Sequence, residues 1–178
     1  SILTALSDLS SSDKKNIEQY QNIIEGPNWL DKRNEDRLYK NREPEVIVVG
    51  SGQAGLSIAA RLKQQNIDTL IIDKNERIGD NWRNRYHSLK LHNQTHVNHL
   101  PYMPFPSTWP TYIPKDKLAG WFEYYVESME LNAWTNTKFI GAEYYENKKH
   151  WKVKLKLSDG TIKIMKPKHI VMAVGVSS

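Results

Sequence analysis

Three glycines and one carboxylate carry the clearest chemistry in this chain. Gly50, Gly52 and Gly55 stand at GxGxxG spacing directly behind the β-branched run Val46-Ile-Val-Val49. Asp73 follows eighteen residues after the last of them, at the end of a second apolar run, Thr69-Leu-Ile-Ile72. A strand of this kind, buried on both faces of a parallel sheet and turning at once into a helix, gathers backbone N–H groups and the positive end of the helix dipole where a pyrophosphate can be held. Gly50 permits the tight turn, Gly52 lets the backbone approach the phosphates with no Cβ in the way, and Gly55 lets the helix pack closely on the strand. Asp73 is then placed to accept hydrogen bonds from ribose hydroxyls. A 2′-phosphate there meets a like charge, so the unit is expected to hold NAD(H) or FAD rather than NADP. The plainer alternative is a glycine-rich turn in a nucleotide-free α/β protein.

A second constellation has a different outcome. Four of the six histidines, His87, His92, His96 and His99, fall in one stretch at intervals of five, four and three residues. Such intervals suit metal ligation, but no cysteine or carboxylate cluster accompanies them, and prolines interrupt the helix they would need. No metal site is expected.

The elements that position these residues follow from periodicity and punctuation. Residues 1–44 read as a polar N-terminal arm with a helix over Asp13 to Ile24, capped by Ser12 and stopped by Gly26-Pro27, and with Trp29 and Leu30 expected to pack the arm onto the domain. Residues 45–73 form the β-α-β unit, with a helix from Gln53 to Gln65. From 74 to 113 the pattern is irregular and holds Pro101, Pro104, Pro106 and Pro110 together with Trp82 and Trp109. A long excursion of this kind is either functional or disordered, and its aromatic content argues for function. Pro114 starts a helix through about Leu131, whose Leu118, Trp121, Phe122, Tyr125, Val126 and Met129 share a core-facing stripe. Strands follow at about Lys138 to Tyr145, Trp151 to Leu157 and Thr161 to Lys166, the last two joined by the hairpin signal Ser158-Asp-Gly160. His169-Ile-Val-Met-Ala-Val-Gly175 reads as a buried strand returning beside the first. The fold class is therefore α/β: a Rossmann-like domain with a parallel sheet, an inserted antiparallel β-meander and an N-terminal helical arm.

Composition bounds the function. The 178 residues suffice for one domain with a sizeable core. The absence of cysteine excludes disulfides, zinc–thiolate sites and dithiol redox chemistry in this segment, and points to a cytoplasmic location. No apolar run approaches the length of a membrane span, and residues 1–8 lack the marks of a signal peptide. The net charge of +5 is spread over scattered lysines and arginines without a recognition helix, so nucleic acid is not an expected partner.

The irregular excursion carries a family resemblance. Asn75-Glu-Arg-Ile-Gly-Asp-Asn-Trp-Arg83 resembles the GxxW segment that follows the acidic strand in flavin-containing monooxygenases. Leu89-Lys-Leu-His-Asn93 and Leu100-Pro-Tyr-Met-Pro-Phe-Pro106 resemble the corresponding runs in the plant auxin-synthesis branch of that family and its fungal relatives. The likeness covers about residues 45–178. Two positions depart from it: Ala173-Val-Gly175 stands where the family has Ala-Thr-Gly, and Asp73 replaces a commoner Glu, a shorter arm to the ribose.

What the resemblance implies is an FAD-binding domain of an NADPH-dependent monooxygenase, in which the reduced flavin forms a C4a-hydroperoxide and oxygenates a small-molecule substrate. By motif position, Gly50, Ser51, Gly52, Gln53, Ala54 and Gly55 would carry the phosphates, and Asp73 and Lys74 the adenosine ribose. Asn81, Trp82 and Gly175 would also contact the cofactor, and His92 and Asn93 would lie at the isoalloxazine. Asn93 is the candidate catalytic residue, steadying the hydroperoxide, or else an asparagine that structures its loop. Trp82 is either a cofactor contact or a core aromatic. The nine glycines contain no second GxGxxG, so the expected organisation is an arm over 1–44 and an FAD-binding domain over 45–178, with the NADPH-binding domain and the rest of a longer enzyme absent from this chain. Two other readings stay open, an FAD-dependent reductase or dehydrogenase and a non-catalytic dinucleotide-binding module. Oligomeric state is not legible.

Overall fold

The structure, a computed structural model, describes residues 26–175; the helix expected over Asp13 to Ile24 lies outside them. The chain divides at Lys40 into two units. In the first, α1 (Trp29–Arg37) begins with a reciprocal capping box, the Asn28 side chain accepting from the Asp31 N–H and the Asp31 carboxylate from the Asn28 N–H. Trp29 and Leu30 lie in its first turn.

The second unit opens with the β-α-β element. Strand β1 (Val46–Val49), helix α2 (Gln53–Gln64) and strand β2 (Thr69–Ile72) follow in order, and all eight strand residues are buried. Helix α2 turns Gly55, Leu56, Ala59 and Ala60 inward, small residues that let it lie close against the sheet. The sheet has the order β3-β2-β1-β7, parallel throughout. Strand β7 (His169–Met172) pairs Val46 with His169 through to Val49 with Met172, as the returning apolar run predicts. Strand β3 (Asn132–Trp134) was not predicted: three residues with one polar member carry too little periodicity to be seen, and its place is set by pairing with Leu70 to Ile72.

Between β2 and α4 (Lys115–Ser128) the chain is irregular, broken only by the four-residue helix α3 (Asp80–Arg83) and a single 3₁₀ turn at Thr95–Val97. Pro114 is the N-cap of α4, whose Leu118, Ala119, Phe122, Tyr125 and Val126 are buried. Leu118, Phe122, Tyr125 and Val126 join Val48, Leu56, Ile71, Ile113 and Phe105 in one core, with Trp121 and Met129 packed against it half-buried. Tyr125 donates to the Pro101 carbonyl (2.9 Å), and burial, with Tyr102 beside it, pushes its phenol up to about 12, against a smaller opposing pull from Arg61.

The meander is a separate antiparallel sheet of β4 (Lys138–Tyr145), β5 (His150–Lys156) and β6 (Ile162–Met165). Gly160, at φ +85°, closes the predicted hairpin, and the Asp159 carboxylate accepts from the Thr161 hydroxyl and N–H, which hold it below the usual carboxylate range.

Candidate functional site

In an open parallel sheet, ligands bind beyond the carboxyl ends of the strands where the strand order reverses. Here that point is β1, which has β2 on one side and the much later β7 on the other. A cleft of about 740 Å³ opens there, within the usual range for small-molecule and cofactor sites. Of the residues predicted from the sequence, Gly50, Ser51, Gly52, Gln53, Ala54, Asp73, Lys74, Asn81, Trp82 and Gly175 line it.

The glycine turn is held by close backbone contacts. Gly50, at φ +106°, donates its N–H to the Ile72 carbonyl (2.8 Å), and a Cβ on it would lie 2.5 Å from the Ala173 carbonyl oxygen of the segment after β7. A Cβ on Gly55 would lie 1.9 Å from the Gly50 carbonyl oxygen, so Gly55 is buried packing and not a lining residue. Gly52 differs. A Cβ there would meet only the Asn81 amide nitrogen at 3.4 Å, leaving space over the turn that a ligand can enter. As the N-cap of α2, Gly52 offers no side-chain cap, and the first turn holds no acidic residue, so no side chain of the helix itself covers its positive end.

Asp73, expected from its spacing to serve a ribose, has a structural role within the chain itself. Its Oδ2 accepts from the Ser51 N–H (2.8 Å) and the Ser51 hydroxyl (2.5 Å), and its Oδ1 accepts from the Asn75 N–H (2.8 Å). The buried carboxylate thus ties the end of β2 to the glycine turn while it lines the cleft. Spacing alone does not reveal this clamp. The signal is the hydroxyl between two glycines, which places a donor where a shortened acidic arm can reach it.

The GxxW segment forms the wall facing the turn. Gly79 caps α3 at φ +90°, and a Cβ there would lie 2.5 Å from the Ala119 carbonyl oxygen, so this glycine brings α3 against α4. Arg83 fixes the pair: it binds Asp80 (2.9 Å), the Ile78 carbonyl (2.7 Å) and Glu123 of α4 (2.6 Å), and Arg77 adds a two-pronged contact to Glu123. Trp82 packs half-buried against the core and also lines the cleft, with its indole N–H buried and unpartnered.

His92 and Asn93 do not line this cleft; both are exposed in the segment between Leu91 and Thr95. Sequence reasoning missed Arg85, Thr137, Lys138 and Phe139, which do. Thr137 comes to the rim because its N–H donates to the Asp73 carbonyl (2.8 Å), a contact across 64 residues with no local signature. Lys74, Arg85 and Lys138 give the cleft a basic rim suited to an anionic ligand. Among the described residues no group of three or more His, Cys, Asp or Glu is placed to hold a metal ion, and no helix is long and apolar enough to cross a membrane.

Comparison with known proteins agrees with this geometry. Residues 48–106 match the NAD(P)-binding Rossmann-like domain family. An uncharacterized CzcO-like oxidoreductase of Geobacillus kaustophilus is 41% identical over 56% of this chain and 28% of its own length. The probable indole-3-pyruvate monooxygenase YUCCA3 of Arabidopsis thaliana is 34% identical over 61% of this chain and 25% of its own. The chain therefore spans about a quarter of the length of these curated relatives. Among solved structures, a bacillithiol disulfide reductase of Bacillus cereus superposes with a TM-score of 0.69 at 18% identity, covering 75% of this chain and 40% of that one. OTEMO in complex with FAD and NADP superposes with a TM-score of 0.65 at 20% identity, covering 77% of this chain and 26% of that one. By its motifs, its fold and the names of its relatives, the chain is similar to part of the flavin monooxygenases and carries a Rossmann-like unit.

Proposed function

We propose that this chain is the FAD-binding portion of an NADPH-dependent flavin monooxygenase acting on a small organic substrate, with the domain itself running over residues 45–178. The observation that carries the reading is the glycine turn at the strand-order reversal: an uncapped helix end, an open face over Gly52, and a wall built from the GxxW segment. These features fit an adenine dinucleotide. In this reading the N–H groups of residues 52–55 receive the pyrophosphate above Ser51, and Asp73 keeps the turn in shape while offering its remaining lone pair to the ribose. Lys74 adds charge at the same end. Asn81 and Trp82 border the flavin half, Gly175 borders the returning strand, and His92 and Asn93 approach from the neighbouring loop.

A bound flavin would supply the redox chemistry of oxygen transfer to the substrate. The protein's part would be to bind, to orient and to exclude water, with the Asn93 amide proposed as a hydrogen-bond donor at the flavin ring. The test is spectroscopic. Purified protein titrated with FAD should develop protein-bound flavin absorbance with one equivalent bound. Protein that stays colourless and takes up no FAD overturns the reading in favour of a non-catalytic module.

The fold likeness to a disulfide reductase favours one alternative, an FAD-dependent reductase or dehydrogenase. Substrate-dependent oxygen uptake by the full-length protein in the presence of NADPH supports the monooxygenase; NADPH oxidation that needs an electron acceptor and consumes no oxygen supports the reductase.

A further inference from the structure

Three contacts tether the segment bearing His92 and Asn93, beside the Phe105 N–H that donates to His99 Nδ1 (2.9 Å) at its far end. The Leu91 N–H donates to the Ile113 carbonyl (2.9 Å), and Thr95 donates through its N–H to the Thr111 carbonyl (2.8 Å) and through its hydroxyl to the Pro110 carbonyl (2.6 Å). Both of these tie the segment to its own return path. The third crosses to the dinucleotide unit: the Gln53 side-chain amide donates to the Asn98 carbonyl (3.0 Å), 45 residues away in sequence. Asn98 is 6% exposed, and its own amide turns back to the Gln94 carbonyl (2.8 Å), so the point that Gln53 grips is rigidly part of the segment. Gln53 is also the first residue of α2, immediately after Gly52. Its backbone faces the phosphate position while its side chain holds the loop.

We propose that Gln53 is a positioning residue that couples occupancy of the phosphate turn to the placement of the His92–Asn93 loop. The inference rests on the dinucleotide reading above and adds to it a mechanical link. An anion on the N–H groups of the first turn of α2 fixes the backbone of Gln53, and that fixes the origin of the side chain gripping Asn98. Linkage is reciprocal, so a well-held loop in turn favours the bound state by the same factor. A single neutral hydrogen bond sets the size of the effect at about 3- to 10-fold.

Hydrogen–deuterium exchange over residues 92–99 tests this in the wild-type protein, in Gln53→Met, which keeps the length and loses the donor, and in Gln53→Lys, which restores a donor. Without cofactor, Gln53→Met should exchange about 3- to 10-fold faster than wild type in this segment and unchanged at the Tyr125–Met129 end of α4, with Gln53→Lys returning it toward wild type. Adding FAD should slow the segment about 3- to 10-fold in wild type and in Gln53→Lys but not in Gln53→Met. A yellow wild-type protein whose loop exchange is unaltered by FAD overturns the coupling alone, as does FAD protection that persists in Gln53→Met. A protein that takes up no FAD overturns the dinucleotide reading and the coupling with it.

Discussion

Gly52 and Gly55 sit three residues apart in one motif, yet their surroundings assign them opposite consequences. Gly55→Ala drives a Cβ into the Gly50 carbonyl oxygen, an overlap that backbone cannot relieve locally. It should lower the unfolding free energy by more than about 3 kcal/mol, or prevent folding, in a denaturant titration. Gly52→Ala meets one flexible amide nitrogen at ordinary contact distance and should leave the melting temperature within about 2 °C of wild type. It should still weaken FAD binding by at least about tenfold, because the methyl occupies the ground the phosphates need. Asp73 adds a third expectation: Asp73→Ala should destabilise the protein with no cofactor present, by about 2–3 kcal/mol, since the Ser51 donors lose a charged acceptor. A residue serving the ribose alone would show no such loss. The turn at Gly50 and the close packing at Gly55 were legible from spacing. The Ser51–Asp73 clamp was not, because a hydrogen bond between two turns depends on the distance between strand ends, which sequence does not state.

At the scale of elements, α4 is held from both sides: its buried face by the core, and its Glu123 by Arg83 and Arg77 of the GxxW segment. Its Tyr125 gives a pH signature. The folded phenol, at about 12, lies above the value near 10 that an unfolded chain would show, so Tyr125 contributes stability that is fully present below pH 10 and is lost as pH rises toward 12. Chemical unfolding at pH 8 and pH 11 should show wild type losing up to roughly 1.4 kcal/mol more than Tyr125→Phe over that interval. Helices α2 and α4 and the longer strands were readable from periodicity, and the meander from its Asp-Gly turn, whereas α1 and the four-residue α3 were not predicted. What escaped was built from non-local partners: β3, only three residues long, is defined by β2, and the excursion is organised by single contacts such as Lys115 Nζ to the Arg83 carbonyl (2.9 Å). Periodicity cannot register either, since neither repeats.

For the whole molecule, one fingerprint in 178 residues predicts one dinucleotide equivalent bound per chain. Titration with FAD followed by NADPH should saturate at a single site, with no second nucleotide retained in the presence of bound flavin. The basic rim should make association salt-dependent, slowing as ionic strength rises.

The contact between Gly50 and Ala173 carries a consequence in time. The turn cannot take its shape until the strand ending at Met172 has been laid beside β1, and the two are separated by more than 120 residues. During synthesis the first glycine leaves the ribosome long before the strand that braces it, so the nucleotide-binding unit must wait, unbraced, for the end of this segment to be made. Capture of a cofactor on the nascent chain is therefore a late event, and a stall or break anywhere before Ala173 leaves a chain bearing the motif but not the pocket.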